Sequence, residues 1–104
     1  MLFEKKFTDN TVISLKLASG EEIVGRYTKE DMISITLIKP LMIAMTPKGP
    51  AMAPVMMTVN PDAGLTFNKS LIISTAETDK DIANQYMFQT TGIQPVSAGN
   101  IVTN

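Results

Sequence analysis

The 104-residue chain contains no cysteine, no histidine and no tryptophan, and each absence removes a class of chemistry. Without cysteine there is neither a disulfide framework nor a thiolate nucleophile. Without histidine the commonest general base and the usual transition-metal ligand are missing. An excess of charge is also lacking, since nine Lys and Arg stand against ten Asp and Glu. No overall field draws the chain to nucleic acid or an anionic membrane, so any such binding has to be local. No stretch approaches the roughly 20 apolar residues of a membrane helix, and the opening MLFEKKF lacks the apolar core of a signal peptide. A cytoplasmic protein without membrane association is the expectation. What remains for catalysis is carboxylates, lysines and hydroxyls. The pairs Glu21-Glu22 and Glu30-Asp31 are adjacent residues, which a strand sends to opposite faces, and Asp79 and Asp81 read as the acidic first turn of a helix. We therefore expect no catalytic residue, no metal ligand, no cofactor and no enzyme activity.

What is present is a globular balance, 44% apolar and 18% charged, of a size that supports one modest core. The informative stretch is Val12 to Ile38. Ile13, Leu15 and Leu17 alternate with Ser14 and Lys16, and Ile33, Ile35 and Leu37 alternate with Ser34 and Thr36. Between these runs Ile23 and Tyr27 sit around Gly25. A period of two predicts three linked strands, each burying one face. Ser19-Gly20-Glu21 supplies the first connection, with Gly20 free to take a positive φ. Gly25 lies inside a strand, where a glycine marks a bend, a bulge or a close backbone approach.

These residues resemble the first motif of the Sm-like family. Leu17, Gly20, Ile23 and Gly25 fill its places for a hydrophobic residue, a glycine, a second hydrophobic residue and a second glycine, and Asp31 leads into the third strand as in the family. The resemblance implies a mainly β fold, a strongly bent five-stranded SH3-like barrel, here followed by one short C-terminal helix. It further implies a homo-oligomeric ring acting as a scaffold or adaptor for a protein partner not identified by the sequence. Single-stranded RNA binding is the alternative. The layout looks most similar to small Sm-like proteins of tailed phages.

Past Ile38 the chain is read from its own residues. Pro40 is expected to interrupt the third strand, after which LMIAMTP either resumes it beyond a kink or begins a separate edge. Pro47-Lys48-Gly49-Pro50 and Pro54 mark a loop. Val55 to Val59 reads as a short strand, Asn60 to Gly64 as a turn, and Leu65 to Thr75 as a strand whose Leu71, Ile72 and Ile73 are buried on both faces. A helix capped by Thr78, with Ile82, Tyr86 and Gln89 on one face, ends at Gly92. The domain is expected over residues 1–93, with 94–104 as a poorly ordered tail.

In the uridine site that the resemblance implies, a base stacks between a side chain before the third strand and an Arg beyond the fourth, and an Asn reads its edge. Here the first loop offers Asp31 and Met32 with no aromatic, Ser34 falls in the place of the Asn, and Leu71 to Glu77 has no Arg. The residues available for nucleic-acid contact are Arg26, Lys29, Asp31 and Lys39. Five of the eight methionines, Met42, Met45, Met52, Met56 and Met57, fall in one proline-flanked segment. Such adaptable thioethers serve either as core fillers or as a contact surface, and the flanking prolines favour an interface.

Overall fold

The computed structural model describes residues 6–92, and the expected tail lies outside them. Six strands, β1 (Val12–Leu17), β2 (Glu22–Glu30), β3 (Ser34–Thr46), β4 (Gly49–Pro54), β5 (Leu65–Asn68) and β6 (Ile72–Glu77), precede a single helix, α1 (Lys80–Thr91). They form one antiparallel sheet in the order β4-β3-β2-β1-β6, with β5 paired to β3. The sheet is not closed. Its strand β3 is long enough to be shared, pairing β5 through Ser34–Leu37 and β4 through Leu41–Thr46.

The alternation of β1, β2 and β3 builds the main core. Ile13, Leu15, Ile23, Tyr27, Ile35 and Leu37 are buried together, with Phe7, Leu17, Met42, Val55, Phe67 and Ile72 packed against them. A second, smaller core forms on the other face, where α1 lays the fully buried Tyr86 over Val24 and Leu41. The predicted helix is present and ends at Gly92, whose φ of 77° is the left-handed cap conformation.

Several expectations are corrected. Pro40 interrupts the ladder to β2 as a bulge and does not end β3, which runs on through it. Val24 pairs Leu41 and Arg26 pairs Ile38, so Gly25 alone faces both Lys39 and Pro40. This bulge absorbs the proline's missing N–H, and Lys39 takes the strain with a φ of 50°. LMIAMT therefore continues the strand. The Pro47-to-Pro54 segment is not a loop but a hairpin turn followed by β4, while Val55 to Val59 forms no strand. Leu65 to Thr75 is split by a 3-10 turn over Lys69–Leu71, which raises the strand count from five to six. Leu71 and Ile73 are exposed, at 59% and 65%, rather than buried on both faces. Asp79, not Thr78, caps α1 by accepting from Asp81 N, while the buried Thr78 hydroxyl bonds that of Ser14 at 2.8 Å.

Candidate functional site

Of the motif residues, Ile23 is buried and Leu17 packs beside it. Gly20 makes its turn with a φ of 109° and open space around it. Gly25 serves close approach: a Cβ there would lie 3.0 Å from Leu37 Cβ and 3.2 Å from Pro40 Cα.

The four residues offered for nucleic-acid contact have separate surroundings. Asp31 accepts from the backbone N–H of Ile33 and Ser34 at 2.9 and 2.8 Å, which holds its carboxyl below the usual carboxylate range and closes the β2–β3 turn. Lys29 is exposed beside that turn. Arg26 is half-buried over the helix-facing side of the sheet, with its Nε buried and without a hydrogen-bond partner. Its guanidinium faces Tyr86, whose hydroxyl burial pushes upward in pKa while Arg26 opposes that shift. Lys39 reaches from the bulge to the Thr90 carbonyl at 3.1 Å and to Asp62 at 3.4 Å. The Tyr86 hydroxyl is shared between the Lys39 and Ile38 carbonyls at 2.7 and 3.0 Å, so the helix stitches the bulge down.

A cluster absent from the sequence reading lies at the C-terminal end of β2, next to Lys29 and Asp31. The Glu30 side chain is 4% exposed and pairs with Lys69 Nζ at 2.6 Å, while the Tyr27 hydroxyl donates to its other oxygen at 2.6 Å. Burial pushes the Glu30 carboxyl up, but the bonds from Lys69 and Tyr27 outweigh it and hold the carboxyl low. Burial and the same carboxylate push the Tyr27 phenol up. Lys69 belongs to the 3-10 turn, and its N–H bonds the Ile33 carbonyl at 2.8 Å. The β2–β3 loop and the turn after β5 are thereby brought together. Lys69 was hidden because the strand expected over Leu65 to Thr75 leaves no turn at that position.

The methionine segment divides. Met42 packs on the main core and Met52 on the helix-side core, whereas Met45, Met56 and Met57 are 77%, 47% and 84% exposed. Met56 and Met57 border an apolar groove of about 410 Å³ between the β3 bulge, the segment after β4 and the end of α1. A second, more polar slot of about 590 Å³ runs beside β6, bounded by Lys6, Glu30, Lys69 and Ile72 to Thr75.

Among the described residues no group of three or more His, Cys, Asp or Glu could hold a metal ion, and no helix is long and apolar enough to cross a membrane. The sequence matches no family model and no curated protein.

Proposed function

We propose that this protein is a non-catalytic oligomerising module of the Sm-like kind, whose copies join into a scaffold that presents a surface to another protein. The observation that carries this reading is the combination of an open six-stranded sheet with exposed Leu71, Ile73, Met45, Met56 and Met57. Unpaired strand edges and apolar side chains on the surface are both relieved when a neighbour covers them. An Sm-like barrel is supported by the path of the chain. Strand β5 lies on the edge of β3, β6 lies on the edge of β1, and one 3-10 turn joins them, so the backbone links the two ends of the sheet. The reading requires self-association and no particular symmetry.

A second reading, single-stranded RNA binding, draws on one observation: the β2–β3 loop and the Lys69 turn lie together, with Met32 and Ile33 exposed at 62% and 70%. Against it stand the Lys69–Glu30 pair and the absence of an aromatic in both loops. Light scattering at micromolar concentration, together with the anisotropy of a labelled oligo-uridine, tests both. We expect a multimer, with weak oligo-uridine binding that vanishes as salt rises, because only dispersed lysines contribute. A monomer sinks the oligomer reading, and tight binding that survives moderate salt restores the RNA reading.

A further inference from the structure

The apolar groove beside α1 is walled by Pro40, Leu41, Pro54, Val55, Met57 and Val59, and its volume of about 410 Å³ falls in the range of small-ligand pockets, about 300 to 1,000 Å³. The polar side chains around it are turned to their own chain. Lys39 Nζ donates to the Thr90 carbonyl at 3.1 Å, Gln89 Nε2 donates to the Met52 carbonyl at 3.0 Å, and Asn60 Oδ1 accepts from Asp62 N at 2.9 Å. The groove therefore suits an apolar, uncharged occupant.

The chain itself supplies one. Gln89 and Thr90, in the last turn of α1, form one end of the groove, and Gly92 closes that turn in the left-handed conformation with its N–H on the Phe88 carbonyl at 2.8 Å. Such a cap turns the chain out of the helix axis, and an apolar residue beyond it commonly packs back on the last turn. Ile93 stands in that place. Residues 93–104 lie outside the described ones, and their sequence, IQPVSAGNIVTN, holds no Asp, Glu, Lys or Arg. Pro95 fixes its own φ and biases Gln94 away from helix, toward extended or polyproline backbone. With three residues per turn, that backbone sends Ile93 and Val96 to the same side. No linker is needed, because Ile93 follows the helix turn that forms the end of the groove.

We propose that the groove is the docking site of the protein's own segment 93–96, which lays Ile93 and Val96 against Met57 and its apolar neighbours. The inference goes beyond the self-association reading and does not rest on it, since Met45, Leu71 and Ile73 stay exposed for a neighbour. The segment acts as a self-ligand. A partner peptide that fits the groove meets it only in the fraction of molecules whose tail is out, and its apparent affinity falls by that fraction.

Methionine oxidation reads the cover directly. Hydrogen peroxide transfers one oxygen to an accessible thioether, giving the sulfoxide and water, and a covered sulfur reacts more slowly. Met57 is 84% exposed, and Met45, which does not line the groove, is 77% exposed, so an open groove lets Met57 react at least as fast. After brief treatment of the native full chain, fragment masses should show Met57 oxidised severalfold more slowly than Met45. Ile93→Asp combined with Val96→Asp should raise Met57 to the rate of Met45 and leave Met45 unchanged, whereas Ile93→Leu combined with Val96→Ile should keep Met57 slow. The measurement is made at two widely separated protein concentrations. Equal rates at Met57 and Met45 in the wild type overturn the proposal, as does protection that survives the paired aspartates. Protection that fades on dilution assigns the cover to a second copy and overturns it too. None of these readouts is the solution mass, so a monomer leaves this inference standing, and its failure leaves the oligomer reading standing.

Discussion

At the level of single residues, Gly25 and Glu30 show how one position binds distant parts of the chain. Gly25 is buried under the extra residue of β3, and the room for its missing side chain is filled by Leu37 and Pro40. Gly25→Val should therefore cost about 2 kcal/mol or more, the scale of overpacking at a site whose neighbour is backbone and cannot swing away. A melting temperature close to wild type would refute the close approach. Glu30 makes a different kind of statement. Its folded-state pKa is depressed by Lys69 and Tyr27 against the pull of burial, so the stability it contributes is present above the ordinary carboxylate pKa and is lost as pH falls through the folded value. Denaturation midpoints between pH 7 and about pH 3 should decline for the wild type, most steeply below about pH 5. Glu30→Gln should start lower at pH 7 and decline less. Parallel curves for the two proteins would rule out this source of acid sensitivity.

Among the elements, β1, β2 and the first half of β3 were legible because each buries one face, and a half-buried strand writes its period into the sequence. Helix α1 was legible through its acidic first turn and its terminal glycine, although Asp79 caps it in place of Thr78, whose hydroxyl is taken by Ser14. The second half of β3 stood only as one of two alternatives, and β4 and β6 were misread, for related reasons. Proline is a breaker when its missing N–H belongs to a ladder, but at Pro40 a bulge absorbs it, and in β4 the prolines sit on an outer edge. The run Leu71-Ile72-Ile73 is continuous apolar sequence, the signature of a strand buried on both faces, yet only Ile72 packs on the core. Its neighbours lie at a turn and an edge. The candidate site was hidden for the same cause: Lys69 stands in a 3-10 turn that local sequence does not announce, and its pairing with Glu30 joins residues far apart in the chain.

Across the whole molecule, ionisable groups are distributed unevenly. From Pro40 to Pro61 the only charged residue is Lys48, exposed at the tip of the β3–β4 hairpin. A trypsin-like protease cuts after Lys or Arg unless proline follows, and Lys39 is followed by Pro40. Between Lys39 and Lys69 the folded chain therefore offers such an enzyme a single bond, Lys48–Gly49. Brief digestion of the native protein should nick it there, as read by the mass of the denatured fragments. The six paired positions from Leu41 with Pro54 to Thr46 with Gly49 should keep the two pieces together until denaturant is added. Rapid loss of the hairpin under native conditions would mean that the β3–β4 ladder opens readily. A chain cut once and still associated amounts to a split protein, and Lys48–Gly49 is then the natural point at which to divide this sequence into two complementing fragments.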